Sequence, residues 1–101
     1  MAALRTALDR FSRERGWGSF HSSKNLAMAL SVEVAELVEL FQWLTPDQSQ
    51  SLTKEQSRHL AEEIGDVMIY LTMLAARHDL DPIRCAQNKM VKNTKKYPLP
   101  S

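Results

Sequence analysis

Cys85 is the chain's one cysteine, so no disulfide can close within it, and a reducing compartment suits it. Charge of neither sign is in excess: 13 Lys and Arg against 12 Asp and Glu leave +1, too little for a field that gathers nucleic acid or an anionic membrane. No apolar run approaches the roughly 18 residues of a membrane span, and the first residues lack the basic-then-apolar order of a secretion signal. The cytoplasm is the expected location. Linkers and low-complexity stretches are missing too, so the 101 residues are expected to form a single domain. At 44% hydrophobic content that domain can build a core, yet it is small enough to gain from burial by a partner subunit.

What the chain does have is a pattern that occurs twice. Ser31-Val32-Glu33-Val34-Ala35-Glu36-Leu37 is followed by Glu62-Glu63-Ile64-Gly65-Asp66-Val67, and at an offset of 30 positions Glu33 falls on Glu63 and Glu36 on Asp66. The apolar positions superpose as well: Leu30 on Leu60, Val34 on Ile64, Leu37 on Val67, Phe41 on Leu71 and Leu44 on Leu74. Their spacing alternates between four and three, the period of a helix buried along one stripe, so both copies are expected to be helices. At about 100° per residue the first acid of each pair lies about 60° from the centre of the stripe, and the second about another 60° further round. Each pair therefore sits on the shoulder of a buried face. The polar segment 45–51, which contains Pro46, separates the copies and predicts an antiparallel helical hairpin. Glu33, Glu36, Glu63 and Asp66 then arrive at one height.

Four carboxylates on one wall repel one another, and partial burial raises the cost of ionising each. A positive charge has to resolve this. Carboxylate oxygens without histidine or cysteine suit a hard divalent ion, Mg²⁺ or Mn²⁺, which keeps waters and shares its sphere with phosphates. A lone Glu-x-x-Glu is ordinary on a helix surface; two copies in register with their apolar seams are not.

Elsewhere, Leu4, Leu8 and Phe11 recur at helical spacing over residues 2–15, with Gly16 as the C-terminal cap. The glycine- and serine-rich stretch that follows carries Trp17, Phe20 and His21, which either anchor the loop in the core or stack on a flat ligand. Ser22 or Ser23 caps a long helix expected to reach about Leu44, with Asn25, Ala29, Glu36 and Trp43 in one row. Met28, Val32, Ala35, Val38 and Leu40 lie off its main stripe, and a helix apolar on several sides predicts a bundle-type oligomer, most simply two-fold. Thr53-Lys54-Glu55-Gln56 has the form of a capping box for a helix to about His78, on which Tyr70 follows Asp66 by one turn. Glu39 reads as solvated, Glu62 as a weaker participant, and His59 and His78 as surface residues without spacing partners. Asp81-Pro82 starts a last helix expected to turn Ile83, Ala86 and Met90 inward and to end near Thr94. Lys89, Asn93 and Lys96 share a face of it, either as a solvated helix end or as cations for a polyphosphate, and residues 98–101 read as a frayed tail.

Glu33-x-x-Glu36 and Glu63-x-x-Asp66, preceded by Trp17-x-x-Phe20-His21 and Asn25-Leu26, stand with Phe41-Gln42-Trp43 between them. Lys89-Met90-x-x-Asn93-x-x-x-Tyr97-Pro98 follows. Together these residues resemble the MazG-like all-α nucleoside triphosphate pyrophosphohydrolases, and within them the dCTP pyrophosphatase and integron-associated branch. The resemblance implies an all-α, four-helix-bundle-type oligomeric fold and hydrolysis of a (deoxy)nucleoside triphosphate to monophosphate and pyrophosphate. It implies Mg²⁺ on Glu33, Glu36, Glu63 and Asp66, and base recognition around Trp17, His21, Trp43 and Tyr70. It further implies phosphate contacts from Lys89 and Asn93, with Asn25, Lys96 and Tyr97 also at the substrate, and a homodimer or homotetramer that completes the site across subunits. Leu8 departs from the pattern, since the dCTP-specific members carry a polar residue there; the resemblance thus implies the reaction without fixing the base.

Phosphoanhydride hydrolysis needs the triphosphate neutralised and a water aligned on the α-phosphorus, which a metal, lysines and a carboxylate base supply. Glu36 or Glu63 is the expected base. Two other classes stay open. A carboxylate-bridged di-iron bundle would use Glu-x-x-His, and no histidine stands three residues after any of the four acids. A non-catalytic helical adaptor would keep the oligomer and lose the metal.

Overall fold

A short polar side chain starts each helix that follows residue 21. Ser22 accepts the backbone N–H of Asn25 at 3.1 Å, and Asp81 accepts those of Ile83 and Arg84. Thr45 with Gln48, and Thr53 with Gln56, form two reciprocal capping boxes. The computed structural model describes residues 2–16 and 22–100, and these form α1 (Ala2–Glu14), α2 (Ser23–Phe41), the one-turn α3 (Pro46–Ser49), α4 (Lys54–Arg77) and α5 (Pro82–Lys96). Among the described residues there is no strand.

Several boundaries differ from expectation for local reasons. α2 stops at Phe41 rather than Leu44, and the expected loop contains α3, because the Thr45 box with Pro46 behind it begins a new turn at once. Trp43 consequently lies in the turn after α2, 85% exposed, instead of in line with Glu36 on the helix. α5 continues two residues past Thr94. Gly16, at φ +64°, takes the left-handed conformation that ends α1, and its N–H reaches the Arg13 carbonyl at 3.2 Å.

α2 and α4 form the central antiparallel hairpin. Its open end is tied by Ser23 Oγ at 2.7 Å from His78 Nε2, so His78 does have a partner. Among the described residues Leu26, 1% exposed, and Ala75 are the buried apolar side chains, with Thr72 buried one turn before Ala75 and Glu63 buried farther back along α4. α1 crosses the C-terminal part of α4, where Arg5 meets Asp79 at 3.3 Å and the Ala76 carbonyl at 3.5 Å. The apolar seam opens midway: Val34 and Ile64, expected inside, are exposed at the height of the acids.

The last helix corrects a further expectation. Ile83, Ala86 and Met90 do not turn inward; α5 packs sparsely on α4, and Met90 is 68% exposed. Met28, Val32, Ala35 and Val38 on the outer face of α2 are exposed as well. The radius of gyration is 16.7 Å, against the ~13 Å of a compact chain of this length. No described helix is long and apolar enough to cross a membrane.

Because burial is concentrated at Leu26, Leu26→Ala is expected to lower unfolding free energy by about 3 kcal/mol, against about 1 kcal/mol for Thr53→Ala at the α4 cap. Denaturant titration of both variants at one protein concentration checks this; equal losses would show that the hairpin's strength does not lie at Leu26.

Candidate functional site

The hairpin sets the acids facing one another because their positions sum to nearly the same number about the turn, and α2 and α4 are stiff where they sit. One carboxylate oxygen from each of Glu33, Glu36 and Glu63 lies within 4.8 Å of the other two. Glu63 is 6% exposed; Glu33 and Glu36 are half-buried. Asp66 stands outside this triplet, one turn along α4, yet near enough for its charge to act on Glu33.

Electrostatics follow from the crowding. Burial pushes the Glu33 carboxyl up from its ordinary 4.5 to about 7, and the charges of Glu36, Asp66 and Glu63 add to the rise. Glu33 Oε2 and Glu63 Oε2 are buried without a hydrogen-bond partner. Buried carboxylate oxygens left unpaired are costly, and an oxygen-only donor set of this kind suits a hard divalent cation. The residues present therefore fit such an ion.

His59 belongs here, although it reads as a surface residue in the sequence. Its Nε2 lies 3.2 Å from Glu63 Oε1 and so fixes one oxygen of that carboxylate while leaving the other free. The signal was present: His59 precedes Glu63 by four positions, one helical turn. Beside the triplet, Glu36, Glu39, Leu40, Gln42 and His59 line an open cavity of ≈500 Å³. Glu39 thus faces a cavity wall as well as water.

Other expected residues distribute unevenly. Tyr70 is half-buried on α4, one turn beyond Asp66, and Asn25 lies exposed on the first turn of α2. Trp17 and His21 lie outside the described residues. Lys89, Asn93, Lys96 and Tyr97 are not brought to the acids: α5 meets its own chain at Pro82 and Cys85, beside Leu71, Leu74 and His78. His78 is about 18 Å along α4 from Asp66 at 1.5 Å per residue. Among the described residues no hydrogen bond or ion pair joins those four to the acids, and Lys96 Nζ instead lies 5.3 Å from the Tyr97 ring.

Comparison with known proteins gives a consistent outcome. The model of the MazG-like family matches residues 28–101. The dCTP pyrophosphatase 1 of Rattus norvegicus is 43% identical over 91 residues, 88% of this chain and 54% of that protein. That of Homo sapiens is 43% identical over 90 residues, 87% and 53% respectively. The chain thus spans about half the length of the curated relatives it matches. Among solved structures, a pyrophosphatase from Archaeoglobus fulgidus DSM 4304 superposes with a TM-score of 0.91 at 41% identity, covering 98% of this chain and 93% of the other.

The raised carboxyl has a signed consequence for the metal-free protein. Between the ordinary carboxylate range and about pH 7 the folded state holds a proton on Glu33 that the unfolded chain releases, so stability falls as pH rises through this window. Melting temperatures in chelator from pH 5 to 8 are expected to decline, and Glu33→Gln to flatten the decline. An unchanged slope in the variant would assign it to other groups.

Proposed function

This chain is a member of the MazG-like family, and from that premise we propose that it hydrolyses (deoxy)nucleoside triphosphates to the monophosphate and pyrophosphate. One observation carries the reading: three carboxylates of one hairpin converge within 4.8 Å, and two of their oxygens are buried and unpaired. Glu33, Glu36, Glu63 and Asp66 would hold Mg²⁺, with Mn²⁺ as a substitute. When bound, the ion supplies Lewis-acid neutralisation of the phosphate charge.

The chain's own residues do the rest. Glu63, steadied by His59, offers its second oxygen toward the shared space; Glu36, which lines the open cavity, is placed to take the proton of a water attacking the α-phosphorus. The bond from that phosphorus to the bridging oxygen breaks, and pyrophosphate leaves with the electron pair. Val34 and Ile64 leave the seam open at this height, where a nucleotide can enter. Trp17, His21, Trp43, Tyr70 and Asn25 are assigned to the nucleoside.

Lys89, Asn93, Lys96 and Tyr97 are assigned to the phosphates, and this requires a second copy of the chain. α5 carries five basic residues and no acidic one, whereas α2 carries three acids and one lysine. The exposed apolar positions of α5 and of the outer face of α2 match each other in kind. A homodimer, or a homotetramer built from two, would cover both faces and bring α5 of one copy toward the acids of another. A soluble cytoplasmic enzyme needing no nucleic acid or membrane fits this reading.

Pyrophosphate release from a panel of ribo- and deoxynucleoside triphosphates, with and without Mg²⁺, tests the activity. Glu36→Gln and Asp66→Asn are expected to lower turnover at least about a hundredfold with unchanged helical circular dichroism. Full activity of either at saturating Mg²⁺ would reject the site. Light scattering is expected to give at least twice the 11.5 kDa chain mass, and a monomer at micromolar concentration would remove the shared-site part of the proposal.

A further inference from the structure

Glu63 differs from the other three acids in having a nitrogen donor of its own. His59, one turn earlier on α4, places Nε2 3.2 Å from Glu63 Oε1, whereas Oε2 of the same carboxyl is buried without a partner. A carboxylate oxygen only accepts, so Nε2 carries the hydrogen in this contact. Among the described residues Glu33, Glu36 and Asp66 receive no hydrogen bond from a nitrogen.

The two partners sit at different depths. The His59 side chain is half exposed and lines the open cavity with Glu36, Glu39, Leu40 and Gln42, while that of Glu63 is buried. The contact therefore draws Oε1 toward the rim of the cavity and turns Oε2 inward, where Glu33 Oε2 is also buried and unpaired. Both partners stand on one continuous helix whose first turn is closed by the Thr53 capping box, and the four-residue spacing keeps the ring over Glu63 before any ion arrives.

How many oxygens Glu63 can give follows from this. A free Glu side chain offers an ion one oxygen or grips it with both. Mg²⁺ demands near-ideal octahedral geometry and keeps several waters, so one oxygen from each carboxylate suits it; Ca²⁺ takes about six to eight oxygens at longer distances and gains from a carboxylate that gives two. With Oε1 engaged by His59, Glu63 contributes Oε2 alone. We propose that His59 is a positioning residue that keeps Glu63 a one-oxygen ligand and so selects a small octahedral cation over Ca²⁺ at the acid cluster. The inference rests on the metal-dependent hydrolase reading and adds to it the residue that chooses the ion. A donor that orients a ligand in this way is worth about 10–100-fold in metal affinity.

Ion binding to the full chain, free of nucleotide, tests this. Mn²⁺ is the probe: its paramagnetic resonance signal reports the free ion, and displacement by Mg²⁺ and by Ca²⁺ gives the ratio of their two dissociation constants in the wild-type protein, His59→Ala and His59→Gln. His59→Ala is expected to shift that ratio toward Ca²⁺ by about tenfold, chiefly by weakening Mg²⁺. His59→Gln, whose amide N–H can donate to the same oxygen, is expected to restore most of the wild-type ratio. The ratio is taken within each protein, so a general loosening of the fold would weaken both ions together and leave it unmoved. A ratio that is the same in all three proteins, equal weakening of both ions in His59→Ala, a Gln variant no better than the Ala variant, or no binding of Mn²⁺ by the wild-type protein overturns the proposal. Pyrophosphate release measured in parallel separates the two readings. Hydrolysis with an unmoved ratio overturns the role of His59 and leaves the hydrolase reading standing; the expected shift without hydrolysis of any triphosphate supports that role and counts against the hydrolase reading alone.

Discussion

Mutual repulsion among carboxylates held on a stiff hairpin is the constraint on which the rest of this structure depends. An isolated acid on a helix surface turns into water and settles the matter. Here Glu63 is buried, Glu33 is half-buried with its proton held to about pH 7, and each keeps one oxygen unpaired. None of this helps the hairpin to fold. The arrangement persists because α2 and α4 pack along Leu26 and Ala75 toward the hairpin's open end, and that packing fixes the register that brings the acids together. Repulsion of this kind is what a divalent cation relieves, and it is preorganised before any ligand arrives.

The hairpin's register is correspondingly overdetermined. At the turn, two capping boxes in succession end α2 and start α4 within a dozen residues. At the other end, Ser23 and His78 join the first residue of α2 to the cap of α4. A slip of one position would break both ends and rotate the acids apart. His59 adds a local constraint by turning Glu63 within its rotamer choices. Register and rotamer are therefore fixed by different residues, which separates the part of the site that folding supplies from the part that local hydrogen bonding supplies.

Much of this was legible from spacing. The duplicated 4–3 pattern gave both long helices, the hairpin and the meeting of Glu33, Glu36 and Glu63; the Thr53 box and Asp81-Pro82 gave helix starts to the residue. What failed did so where periodicity does not say what covers a face. Ile83 and Met90 recur at helical spacing as core residues do, and the expectation of burial assumed the partner surface lay within the same chain. Trp43 continues the helical spacing of α2, but α2 ends at Phe41 and the Thr45 cap begins a new turn two residues after Trp43. His59 stands one turn before Glu63, but a lone histidine and an acid four positions apart are common on helix surfaces, so that spacing alone does not mark it as part of a site.

These misplacements share a cause, and it bears on function. Apolar side chains exposed on α5 and on the outer face of α2 are too many for a chain that buries so little, and the extended radius of gyration shows that they do not fold back. Meanwhile, among the described residues, the acids have no cationic side chain in an ion pair with them apart from what His59 can offer, while α5 carries five basic residues away from them. One copy is thus short of apolar cover on the outward side of α2 and of positive charge on the adjoining shoulder, where Glu33 and Glu36 meet Glu63. A single kind of contact, α5 of a second copy laid along the outer face of α2 and its shoulder, would supply both shortages together. Assembly and substrate binding would then draw on the same surface, and the protomer's weak packing would be the consequence of keeping that surface available.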